Sequence, residues 1–152
     1  MPNTYSQLYI QIVFAVQHRK NFINESFRVE LQKYIPGIID GKKQKLYAIY
    51  CMPDHTHILA SLKPDIVISD LVGSIKSNSS SFIKDKHFAE NFAWQEGFGA
   101  FSYSKSQSQN VVNYIMNQPQ HHKKKAFRQE YIEFLEKFEI SYEDKYLFEF
   151  YD

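Results

Sequence analysis

Hydrophobic and polar positions change their spacing several times along this chain, and each change marks an element. Residues 5–16 are rich in β-branched and aromatic side chains, which predicts a strand. Asn24-Glu25-Ser26 then opens a helix in which Phe27, Leu31, Tyr34, Ile35 and Ile38 recur at helical spacing until Gly41 ends it. Lys42, Lys43 and Lys45 occupy the turn that follows. Residues 46–52 predict a second strand, Pro53-Asp54 reverses the chain, and residues 55–62 return as a third strand, making a hairpin. Beyond the break at Pro64-Asp65, Ser69-Asp70 starts a helix that runs to about residue 86 on Leu71, Ile75, Phe82 and Ile83. Residues 92–103 read as a fourth strand or hairpin region, with Gly97 and Gly99 where backbone or ligand approaches closely. The polar stretch 104–109 leads into a helix over 110–118, which Pro119 stops or kinks. A last helix over 127–138 precedes a short aromatic tail.

The resulting order, β-α-β-β-α-β, is the split βαβ pattern. It predicts an α+β, ferredoxin-like fold, an antiparallel sheet with helices packed on it. Without repeats or low-complexity segments, residues 1–152 are expected to form one domain.

Composition adds two points. Aromatic residues make up 16% of the chain, which composition alone reads first as filling for a small core and second as stacking platforms for bases. The net charge of +1 conceals an asymmetry: residues 1–125 hold 15 Lys and Arg against 9 Asp and Glu, whereas residues 126–152 hold 3 against 8. A basic body with an acidic tail suits a polyanionic partner. The tail is expected either to compete with that partner or, through Tyr142, Tyr146, Phe148 and Phe150, to pack on the body. The single cysteine, Cys51, lies in an apolar run and is expected to be a buried reduced thiol. No apolar run approaches the length of a membrane span, and residues 8–16 lack the form of a secretory leader, so a cytoplasmic protein is expected.

Three groups of residues could carry chemistry. His55-Thr56-His57 lies on a predicted strand, where side chains two apart share a face, so both imidazoles could converge on one ion. With no second cysteine, a structural zinc knuckle is excluded. Tyr114 and Gln118, four apart on a predicted helix, share a face beside the apolar Val111, Val112, Ile115 and Met116. The run His121-His122-Lys123-Lys124-Lys125 could neutralise several phosphates. Each group also has an ordinary structural explanation, and none is decisive alone.

Taken in order, these segments resemble a known family. Met52-Pro53-Asp54-His55-Thr56-His57-Ile58-Leu59 resembles the paired-histidine motif of the single-tyrosine HUH transposases of small bacterial insertion sequences, above all their repeat (REP)-associated branch. The stretch from Trp94 to Ser102 resembles the family's aromatic-glycine strand, and Tyr114-Ile115-Met116-Asn117-Gln118 its nucleophile helix. His121-His122-Lys123 resembles the usual continuation. Thr56 departs from the bulky hydrophobe usual at that position but is expected to face away from an ion; Pro119 leaves the geometry of Gln118 open.

The resemblance implies a transposase that cuts and rejoins single-stranded DNA at hairpin-forming ends or repeats. It implies Tyr114 as the nucleophile and a divalent ion, Mg²⁺ or Mn²⁺, held by His55, His57 and Gln118. It further implies DNA contacts from Lys123, Lys124, Lys125, Trp94 and Arg19, and a homodimer. The phenol needs activation by the ion or a neighbouring base, and His121 or His122 could assist. Rejoining needs no nucleotide cofactor, in keeping with the lack of a GxxxxGK[ST] loop. A replication or conjugation nickase would normally be larger. A noncatalytic single-strand or hairpin-binding protein would need the aromatics but neither the histidine pair nor Tyr114, and a domesticated member would keep DNA binding without mobility, although the motifs here are intact.

Overall fold

A computed structural model describes residues 3–151. Its core element is strand β1, Tyr9–Ala15, whose seven residues are all buried. A strand buried on both faces must be covered on both, and this one is. β1 pairs antiparallel with β3 (His55–Ser61) on one side and with β4 (Gly99–Tyr103) on the other. β2 (Lys45–Cys51) completes the sheet in the order β2-β3-β1-β4. This is the α+β, split βαβ arrangement expected from the element order.

Alternation along β1 sorts the two faces. Ile10, Ile12 and Phe14 point to one side, where α1 (Glu25–Gly41) and α2 (Ile68–Asp85) pack; Val13 and Ala15 point to the other. α1 starts where Asn24 accepts a hydrogen bond from the Ser26 N–H at 3.0 Å, and it buries Phe27, Leu31, Ile35 and Ile39 at intervals of four. On the second face lie α3 (Lys105–Met116), the single turn α4 (Gln118–His121) and α5 (Phe127–Lys137). That second face carries the candidate site.

Several expectations need correction. The first strand begins at Tyr9, and Tyr5 is exposed. Of the region 92–103, only Gly99–Tyr103 is strand; the segment before it is held by an isolated bridge between Val16 and Trp94. The polar stretch 104–109 forms the first turns of α3 rather than a loop. Its polarity marks a helix start, with the Gln107 side chain accepting from the Ser104 N–H at 2.9 Å. The helix assigned to 110–118 breaks at Asn117, because Pro119 has no N–H to continue the ladder. The end of the chain packs on the body: Phe148 is buried with Phe127, Tyr131 and Leu135, and Leu147 and Phe150 lie against that cluster. Tyr142 and Tyr146 do not join it and are exposed.

Candidate functional site

His55 and His57 leave β3 on the face of α3 and α5, and both are fully buried. Thr56, between them, points to the α1/α2 side with Ile58 and Ala60. Each imidazole is fixed by its Nδ1. That of His55 meets Asp54 Oδ1 at 2.7 Å; that of His57 meets the Gln11 amide at 2.9 Å, which the Tyr103 hydroxyl in turn holds at 2.9 Å. Both Nε2 atoms therefore face a common point, and at His55 the Asp54 carboxylate is the kind of acceptor that orients a ligating imidazole in metal sites.

What lies at that point includes a residue the sequence reading missed. Glu130 of α5 is 3% exposed, and its Oε1 stands 3.0 Å from His57 Nε2, 3.4 Å from His55 Nε2 and 3.2 Å from His122 Nε2. Its Oε2 accepts a hydrogen bond from the Tyr114 hydroxyl and another, at 3.1 Å, from Gln118 Nε2. Gln118 Oε1 lies 3.2 Å from His55 Nε2 and 2.9 Å from His122 Nε2. Thus His55, His57, Gln118 and Tyr114 come together despite the break at Asn117, and Glu130 and His122 complete the group. Glu130 was counted only as part of an acidic tail. The missed signal was its neighbourhood, since Phe127, Tyr131 and Phe134 place it on the apolar stripe of α5, where an unpaired carboxylate is rare.

Tyr114 reaches this point because α3 anchors through Val111 and Ile115 against Tyr9, Ala48 and Leu59 on the sheet. The phenol ring is half-buried, stacks on His121 at 4.3 Å and meets the edge of Phe134 at 5.9 Å. A cavity of about 350 Å³ opens beside it, lined by Tyr103, Asn110, Lys125, Glu130 and Lys137 among others.

The electrostatics are those of a compensated cluster. Burial would raise the Glu130 carboxyl, but the surrounding imidazoles of His57, His122 and His55 outweigh that and hold it far below the usual carboxylate range. Burial would lower His55, yet Asp54 and Glu130 raise it to about 9. His57 is pushed down, by burial first, with Glu130 offsetting only in part. Burial and the Glu130 charge push the Tyr114 phenol well above its ordinary value. These shifts favour an anionic Glu130 beside a cationic His55.

The residues expected to contact DNA divide. Lys123 and Lys124 are exposed in the turn after α4, and Lys125, half-buried, is paired with Glu133 at the cavity rim. Arg19 is exposed in a short 3-10 turn beyond β1, at the end of the sheet where Ala15 pairs with His55. Trp94 is not available as a stacking platform. It is 8% exposed, sits edge-on to Phe14 and Phe92, and donates its indole N–H to Ser79 at 3.0 Å. Filling the core, the first of the two roles open to the aromatics, applies to it.

The family model described as "Transposase IS200 like" matches residues 4–118. The chain belongs to the IS200-like transposase family. The match ends at Gln118, so it includes the histidine pair, Tyr114 and Gln118, whereas His122 and Glu130 lie beyond it. Two solved structures share the transposase's fold. One, assigned as a transposase from Deinococcus radiodurans R1, is 22% identical over 76% of this chain and 94% of its own, with a TM-score of 0.58. The other, a REP-associated tyrosine transposase bound to a REP hairpin, is 18% identical over 79% of this chain and 72% of its own, with a TM-score of 0.60. No curated protein matches the transposase. Among the described residues, no helix is long and apolar enough to cross a membrane.

Proposed function

We propose that this transposase cuts and rejoins single-stranded DNA through a covalent link to Tyr114, with a divalent ion held at the histidine pair. The observation that carries the reading is the shared carboxylate: one Glu130 oxygen faces the imidazoles and the other binds the Tyr114 hydroxyl. The candidate nucleophile thus stands beside the candidate ion site within one chain.

The donor set fits such an ion. Metal–ligand bonds of about 2.1 Å at tetrahedral or octahedral angles place donor atoms about 3.0–3.4 Å apart. Glu130 Oε1 lies at 3.0, 3.2 and 3.4 Å from the three Nε2 atoms. Imidazoles with one carboxylate suit Mn²⁺ better than Mg²⁺, which prefers oxygen throughout. Held by His55, His57 and their neighbours, such an ion would polarise and orient the scissile phosphate.

The chain's own residues do the rest. Tyr114 Oη forms a bond to phosphorus as the P–O3′ bond breaks; the phenolic proton passes to Glu130 Oε2, which accepts its hydrogen bond, and the departing O3′ takes up a proton to leave as a 3′-hydroxyl. The other end stays on Tyr114 as a 5′-phosphotyrosine. Attack by a 3′-hydroxyl on that link reverses the step, so rejoining consumes no nucleotide. The α3 anchor at Val111 and Ile115 holds the phenol in place, which is worth several kcal/mol in a displacement reaction. Lys123 and Lys124 supply exposed positive charge for the phosphates, and the REP-hairpin complex of the similar structure supports a hairpin-bearing strand as substrate.

The test is a 3′-labelled single strand carrying a hairpin, incubated with the protein and Mn²⁺ or EDTA. A labelled protein adduct that forms only with the ion is expected. DNA binding with no adduct on any such strand would replace this reading by a noncatalytic hairpin-binding protein.

A further inference from the structure

We propose that Glu130 of α5, together with His122, completes the ion site and ties it to the nucleophile, so that an IS200-like core relies on a C-terminal helix outside the matched region. The inference rests on the ion-site reading above and extends it to two residues beyond the family match: Glu130, which no sequence motif includes, and His122, which the motif reading gave no part in holding an ion.

The geometry is built rather than incidental. His55, His57, His122 and Glu130 each offer a donor atom, and the four atoms lie within 4.8 Å of one another. They come from three separate places: β3, the turn after α4, and α5. Glu130 could have been exposed with the other acids of its segment. Instead α5 is docked by Phe127, Tyr131 and Leu135, which buries the carboxylate against the imidazoles. Phe127 also stacks flat on His55 at 3.9 Å between ring centroids, so the same helix fixes an imidazole and supplies the acid.

A carboxylate brings to this site what the Gln118 amide lacks, a negative charge. A dication surrounded only by imidazoles and an amide keeps its full charge in a buried setting; one carboxylate halves it. The same group holds Tyr114 through its second oxygen, together with Gln118 Nε2. One carboxylate would thereby link a held ion to the phenol. Glu130 is an ion ligand and, toward Tyr114, a positioning residue.

The experiment measures Mn²⁺ affinity by calorimetry for the full chain, Glu130→Gln and His57→Ala, with circular dichroism to confirm folding. Glu130→Gln keeps the shape but removes the charge and turns one of the two acceptor oxygens into an amide donor. The inference expects at least about tenfold weaker Mn²⁺ binding in Glu130→Gln and a comparable or larger loss in His57→Ala. Binding within twofold of wild type in Glu130→Gln, alongside a loss in His57→Ala, would overturn the role of Glu130 and leave the ion site standing. Unchanged affinity in both variants overturns the ion site itself, and this inference with it. If Glu130→Gln does not fold, Glu130→Asp asks the same question, because its shorter side chain cannot span both the imidazoles and Tyr114. Weakened Mn²⁺ binding in that variant supports the role, and wild-type affinity contradicts it.

Discussion

A carboxylate buried among three imidazoles is stable only while the cluster remains compensated, and this governs what single residues will do. Removing one imidazole leaves the Glu130 charge less well matched, yet the other partners remain. His55→Ala or His57→Ala should therefore lose Mn²⁺ binding and adduct formation while the fold survives, as calorimetry and circular dichroism can show. Gln118→Ala should lose less, because an amide oxygen is a neutral ligand that water can replace. The raised His55 also predicts opposite responses to pH for stability and ion affinity. His55 is raised to about 9, above its ordinary value, so its charged pairing stabilises the fold fully below about 6.5 and is lost as pH rises through 9. Ion binding must expel that proton, so affinity for Mn²⁺ rises across the same interval. With EDTA the melting temperature should fall from pH 6.5 to 9 while Mn²⁺ affinity increases; parallel trends would contradict the assignment. Cys51, buried and pushed up to about 12, should resist alkylation at pH 8 until the protein is denatured.

At the scale of elements, β4 and α5 depend on one close approach. A Cβ added at Gly99 would stand 2.8 Å from the Tyr131 hydroxyl and 3.0 Å from Phe101 Cε2. Both rings belong to one packed cluster and cannot swing away freely. Gly99→Ala should destabilise by about 1–3 kcal/mol, lowering the melting temperature by several degrees in a scanning experiment. Because Tyr131 adjoins Glu130, Mn²⁺ affinity should fall too. Much of this scale was legible in the sequence. Strand β3 shows its two-residue alternation in His55-Thr56-His57, and Val111 and Ile115 anchor Tyr114 on the sheet, whereas Met116, expected to pack with them, is exposed. Two features were not legible. A run of polar residues at 104–109 looks like a loop unless its capping is recognised, and Glu130 looks like surface charge until α5 is docked. Docking is a tertiary fact, and Trp94 shows the same limit: its burial depends on Phe14 and Phe92, distant in sequence or hidden by an irregular backbone.

For the whole molecule, the acidic C-terminal segment changes meaning. Its charge suggested a competitor for DNA, but Phe148 and Phe150 pack beside α5, and the Tyr151 hydroxyl accepts from the His18 N–H at 2.8 Å. Deleting the residues from 141 onward should lower the melting temperature at every salt concentration. A shorter chain with unchanged stability and tighter DNA binding at low salt would restore the competitor role. The placement of Tyr114 at its own chain's histidines also has a consequence for any dimer. Mixing Tyr114→Phe with His57→Ala should yield no adduct, whereas recovered activity would mean that the tyrosine serves a partner's site. The most direct test of the central claim is the attachment point itself. Wild type, reacted with Mn²⁺ and a hairpin-bearing single strand, should give one nucleotide-linked peptide by mass spectrometry, modified at Tyr114. Tyr114→Phe should fold, bind Mn²⁺ and DNA, and give none. A modified peptide that persists in Tyr114→Phe, or that maps to another of the eleven tyrosines, would contradict it.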